Sequence, residues 1–183
     1  MGKGQEFERQ ICKKLSLWWT EGERDDIFWR SAGSGARATV RRKKDKDTAN
    51  SAGDITFTDP IGAPFINVFN VELKKGYNTT TCLYDCVNPK KKSLLLQWLA
   101  KVKKEACQSR RKSYLLILKR DRKNTIIFVQ WDFFIRQEKY SGIFQEDFFE
   151  FRNDNCSFVC CDFDHFLNWI TPEDIRRIDE DSY

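Results

Sequence analysis

Gly53-Asp54-Ile55-Thr56-Phe57-Thr58, the turn Asp59-Pro60-Ile61-Gly62 and Phe65-Ile66-Asn67-Val68-Phe69-Asn70-Val71-Glu72-Leu73-Lys74 form the stretch on which the fold turns. Both runs are rich in β-branched and aromatic residues and a Pro/Gly turn parts them, so together they predict a β-hairpin. Side chains alternate faces along a strand, which sends Val71 and Leu73 to the core and Glu72 and Lys74 to the opposite side. A hairpin also sets Asp54, at the start of the first run, beside Glu72. Two carboxylates converging next to an ammonium make a hard-oxygen site suited to Mg2+, which takes one or two protein carboxylates and completes its shell with water and phosphate oxygens. Lys74 is no ligand while charged, but it can orient an attacking water or neutralise charge developing on phosphorus. Alone, Val-Glu-Leu-Lys is commonplace on a half-buried strand; the Asp opposite it raises the case.

Outward from this stretch, Phe7, Ile11, Leu15 and Trp18 or Trp19 recur at helical spacing over Gln5–Trp19, an amphipathic opening helix that Gly22 ends. Ile27–Arg30 reads as a strand, residues 37–53 as a polar, basic loop. A helix over Ser93–Ser109 carries Leu95, Trp98, Leu99, Val102 and Ala106 on one face. Tyr114–Leu118 is an apolar run of the kind found in a central strand covered on both sides, with Thr125–Val129 as its neighbour across a turn. The last third holds a short helix near 131–138, a strand near 157–162 and a final helix opened by Thr171-Pro172-Glu173-Asp174. This order predicts an α/β (α+β) mixed β-sheet flanked by helices. Residues 1–183 read as a single domain, a basic core over 1–130 and an aromatic-rich, acidic extension over 131–183.

Of the 183 residues, 40% are hydrophobic and 32% charged, which excludes a disordered chain. No stretch is apolar enough to span a membrane and the start has no apolar signal core, so a cytoplasmic location is expected. A single histidine, His165, excludes two-His zinc peptidase motifs and His-pair nucleases. Residues 1–130 hold 27 Lys/Arg against 14 Asp/Glu, residues 131–183 hold 5 against 13, an asymmetry that points to a basic face for a polyanion. Nucleic acid is the leading partner, with Arg37, Arg41, Arg42, Lys43 and Lys44 as salt-sensitive phosphate contacts. The seven cysteines are read as reduced thiols; Cys82-x3-Cys86 with Cys156-x3-Cys160 is a loose spacing for zinc.

The blocks Lys3-Gly4-Gln5-Glu6-Phe7-Glu8-Arg9, Arg30-Ser31-Ala32-Gly33-Ser34-Gly35, Gly53-Asp54-Ile55 and Val71-Glu72-Leu73-Lys74 follow one another in an order that resembles the PD-(D/E)xK nuclease superfamily. Within it the chain looks most like the archaeal-type Holliday-junction resolvases. The resemblance implies a restriction-endonuclease-like core that hydrolyses DNA phosphodiesters with Mg2+, for which Mn2+ is the substitute. It implies Asp54 and Glu72 as metal ligands, Lys74 as catalytic lysine and Glu8, with Glu6 as fallback, as a first-helix acid supporting the metal through its water shell. Arg30 and Ser34 would meet the nucleic acid, and Gln97 would be a supporting helix residue. One departure is Gly53, which stands where the superfamily has proline. Two sites across a two-fold axis suit cutting two strands, so a homodimer acting on DNA, branched DNA first, is expected. A restriction-like or repair endonuclease, a noncatalytic DNA-binding protein of the same fold and an RNA-processing enzyme are the competing readings.

Overall fold

A computed structural model of the chain describes residues 3–31, 53–79, 83–88, 93–137, 141–152 and 156–181. It opens with helix α1 (Lys3–Trp19), whose Phe7, Ile11, Leu15 and Trp19 are all buried at four-residue spacing. Gly22 ends it at φ +93°, its N–H donating to the Leu17 carbonyl at 2.7 Å. Strands β1 (Phe28–Arg30) and β2 (Ile55–Phe57) then pair antiparallel, with Arg30 opposite Ile55. Ser16, fully buried on α1, joins the two elements: its Oγ donates to the Cys12 carbonyl at 2.8 Å and accepts the Phe28 N–H at 2.9 Å.

The predicted hairpin does not form. The Asp59 carboxylate accepts the Ile61 N–H and starts a single 3-10 turn over Pro60–Gly62, and helix α2 (Ala63–Val68) follows with a proline in its first turn. Phe65, Ile66 and Val68 thereby bury a helical face, so Phe65–Val68 is helix and not strand. A four-residue apolar run fits both periods, and the proline at the helix start decides between them. Strand β3 begins only at Phe69 and runs to Lys75.

After α3 (Tyr84–Val87), helix α4 (Leu94–Gln108) crosses over to β4 (Ser113–Lys119), which lies parallel to β3 with Glu72 opposite Leu116 and Lys74 opposite Leu118. Ser93 caps α4, its hydroxyl accepting the Leu96 N–H. Strand β5 (Thr125–Gln130) pairs antiparallel with β4, as expected, and leads into α5 (Trp131–Arg136). Strands β6 (Phe148–Arg152) and β7 (Ser157–Asp162) complete a five-stranded sheet of order β3-β4-β5-β7-β6. Helices α6 (Phe163–Trp169) and α7 (Pro172–Glu180) follow, α7 opened by a capping box between Thr171 and Asp174. Mixed sheet and flanking helices agree with the restriction-endonuclease-like core expected.

Two apolar layers cover the sheet. On one face Val71, Leu73, Leu115, Ile117, Ile127 and Val129 pack with α1, α2, α5, α6 and α7. On the other, Tyr114, Leu116, Leu118 and Phe128 meet Leu95, Leu99, Val102 and Ala106 of α4. Strand β4 is thus covered on both sides, and the alternation of β3 holds: Val71 and Leu73 face α1, Glu72 and Lys74 the side of α4. No described helix is long and apolar enough to cross a membrane.

Ser16→Ala should lower stability by about 1–3 kcal/mol, because the buried Phe28 N–H loses its acceptor. Urea unfolding checks this; an unchanged midpoint would show that α1 and β1 are joined by apolar packing alone.

Candidate active site

Asp54 sits where the two sheets approach one another. Its carbonyl accepts the Ser31 N–H at 2.9 Å on the β1 side, and its own N–H donates to the Val71 carbonyl of β3 at 2.7 Å. Its side chain continues the pattern, with carboxylate Oδ2 accepting the Leu73 N–H at 2.8 Å. Asp54 therefore lies on the edge of β3 that does not face β4 and is bound to the two residues on either side of Glu72. An edge contact, not the expected hairpin, brings Asp54 to the neighbours of Glu72.

Gly53 makes that contact sterically feasible. Its φ is +80°, and a Cβ there would lie 2.8 Å from the Val71 carbonyl oxygen and 2.8 Å from Asn70 Oδ1. Proline is confined to φ near −65°, so a proline cannot replace Gly53 in this backbone. The departure from the superfamily pattern has a geometric cause.

Glu72 is almost fully buried, its side chain 2% exposed, and it carries its charge between two ammonium groups. Its Oε1 accepts from Lys74 Nζ at 2.5 Å and from Lys101 Nζ, on α4, at 2.8 Å. Lys74 also lies over the Trp98 ring, 5.7 Å from its centroid, so cation–π attraction adds to its ion pair. Lys101 reaches Glu105 Oε1 at 3.9 Å one turn further along α4. Partial burial pulls the Lys101 ammonium down, but the bond to Glu72 and the charges of Glu72, Glu105 and Asp54 override it and hold its pKa above the usual lysine value. Burial pushes the Glu105 carboxyl up; Lys101 opposes this while Glu72 and Asp54 reinforce it. Asp54, Glu72, Lys101 and Glu105 thus share one electrostatic neighbourhood.

Glu8 turns inward from α1 and accepts from Arg30 Nε at 2.9 Å. Arg30 pairs in register with Ile55, next to Asp54. Burial pushes the Cys12 thiol up to about 12, with Glu8 and Asp54 adding to the effect and Arg30 opposing it, so all three charges are felt at one buried cysteine. Glu6 is exposed and takes a bond from Gln10 instead. Gln97 is exposed on α4, four residues before Lys101. Ser34, Arg37, Arg41, Arg42, Lys43 and Lys44 lie outside the described residues, as does Cys82. Among the described residues no group of three or more His, Cys, Asp or Glu side chains could hold a metal ion; the four-thiolate arrangement includes Cys82 and so lies partly outside them.

Sequence reasoning did not find Lys101 and Glu105. Their four-residue spacing on a helix was visible, but their approach to Glu72 comes from the β3–α4–β4 crossover.

The profile of one family, described as "Phage putative PDDEXK endonuclease", matches residues 1–177. The chain belongs to that family. It is thereby placed in the PD-(D/E)xK superfamily as a member of a nuclease family, for which DNA is the implied substrate. The match takes in most of the acidic last third, so β6, β7, α6 and the first six residues of α7 fall within the family's own extent. No curated protein and no solved structure matches the chain.

Asp54→Ala leaves the Leu73 N–H without its acceptor and should cost about 1–3 kcal/mol, whereas Asp54→Asn keeps a carbonyl acceptor and should cost less than about 1 kcal/mol. Chemical denaturation of both variants checks this. Equal losses would mean that the charge of Asp54, not its acceptor geometry, secures the edge of β3.

Proposed function

We propose that the protein is a Mg2+-dependent DNA endonuclease in which Asp54 and Glu72 hold the ion, Lys74 is the catalytic lysine and Glu8 supports the site from α1. The observation that supports this reading is the bond from the Leu73 N–H to the Asp54 carboxylate, which ties Asp54 to the strand residue between Glu72 and Lys74. The donor set fits Mg2+: two hard carboxylates, with the remaining positions left to water and phosphate oxygens. Bound there, the ion would polarise the scissile phosphate and lower the pKa of a bound water.

The chain's own groups do the rest. Glu72 orients the Lys74 ammonium through their ion pair, and the N–H donors of Lys74 not used on Glu72 can hold the attacking water or a non-bridging phosphate oxygen. Arg30 keeps the Glu8 carboxylate turned toward the Asp54 end of β2. Basic residues of segment 37–44 would meet the phosphate backbone without reading sequence. Likeness of the motif blocks to junction resolvases makes a four-way junction the first substrate to offer, and a homodimer the expected assembly.

Supercoiled plasmid and a four-way junction, each incubated with Mg2+ or with EDTA, test the reading. Cleavage should require the divalent ion and fall about a hundredfold or more in Asp54→Asn, Glu72→Gln and Lys74→Met. Salt-sensitive binding without cleavage under any divalent ion would contradict it in favour of a noncatalytic binder. Cleavage of RNA in preference to DNA would overturn the substrate assignment.

A further inference from the structure

Glu72 meets two lysines where the proposed chemistry uses one. Lys101 comes from a different element, donates to the same carboxylate oxygen as Lys74 and has a second carboxylate, Glu105, 3.9 Å away on its own helix. A buried carboxylate is costly without compensating charge, and Lys101 supplies part of that compensation where a cation would otherwise sit. Its side chain is 44% exposed against 20% for Lys74, so it is the more easily withdrawn of the two. Glu105, one helical turn away, can receive the ammonium without α4 having to move.

We infer that Lys101 is a positioning residue that holds Glu72 until a divalent cation replaces it, the displaced ammonium passing to Glu105. The inference rests on the reading of Glu72 as a metal ligand. By linkage, whatever weakens the Lys101–Glu72 pair strengthens metal binding, and whatever deprives Lys101 of its alternative partner weakens it.

The test is Mn2+ binding to the full chain, followed by electron paramagnetic resonance without DNA, so that activity is not the readout. Lys101→Met should tighten Mn2+ binding about fivefold or more, a factor at the low end for linked sites, and Lys101→Arg should stay near the original affinity. Lys104→Met, an equal charge change on the exposed side of α4, is the control and should shift it far less. Glu105→Gln should weaken binding in the original chain and have no effect in Lys101→Met. Equal shifts in Lys101→Met and Lys104→Met, or a Glu105→Gln effect that persists without Lys101, would reduce the result to general charge and overturn the inference. Glu72→Gln separates the two levels. If it abolishes Mn2+ binding while Lys101→Met changes nothing, only the displacement fails; if it leaves binding intact, the ligand assignment fails and the displacement with it.

Discussion

The edge of β3 is closed by a side-chain carboxylate where a neighbouring strand would offer a backbone carbonyl. Asp54 bonds to β3 through its own N–H and through Oδ2, and its carbonyl takes the Ser31 N–H next to β1. One residue therefore links the small β1–β2 sheet to the large one and delivers an acid to the side of Glu72. Gly53 is the condition for it, since its positive φ and missing Cβ let the chain pass against Val71 and Asn70. The charge arrangement follows from this contact: Glu72 is buried because β3 is covered, and buried charge persists only where donors reach it. Lys74 from its own strand and Lys101 from α4 are those donors.

The acidic C-terminal third contributes to the same apolar layer as α1. Phe163, Phe166, Ile175 and Ile178 belong to one cluster with Phe7, Ile11 and Leu15. Lys112, at the start of the β4 segment, donates to the Ile178, Asp179 and Asp181 carbonyls and so fastens the end of α7, where cations complement unpaired carbonyls. Asn67 of α2 adds a bond to Asp179 at 3.2 Å. The segment that looks like an appendage by charge is thereby packed against the elements that position Asp54.

Much of this was legible in the residues. Phe7–Trp19 and Leu95–Ala106 repeat at the helical period over several turns, Tyr114–Leu118 is apolar throughout, and Thr171–Asp174 carries its own capping groups; in each the local signal and the tertiary environment agree. Phe65–Val68 was not legible, because a run so short satisfies both periods until Pro64 and α7 decide for helix. Strand β6 escaped because its Phe148 and Phe149 stay exposed at the sheet edge, so no buried face marks it. At the site, Glu72 and Lys74 could be paired because strand alternation puts residues two apart on one side, whereas Asp54 was set beside them by a hairpin that does not form and reaches β3 through an edge contact instead. Lys101 could not, since its contact with Glu72 spans 29 residues and depends on how α4 crosses the sheet.

Asp54 and Glu72 are proposed to share one divalent ion. Crystals grown with Mn2+ and measured at wavelengths either side of its absorption edge locate that ion directly. An anomalous peak is expected within about 2.0–2.5 Å of a carboxylate oxygen from each of Asp54 and Glu72. A saturated crystal whose only Mn2+ lies elsewhere, with Glu72 still held by both lysines, would contradict it.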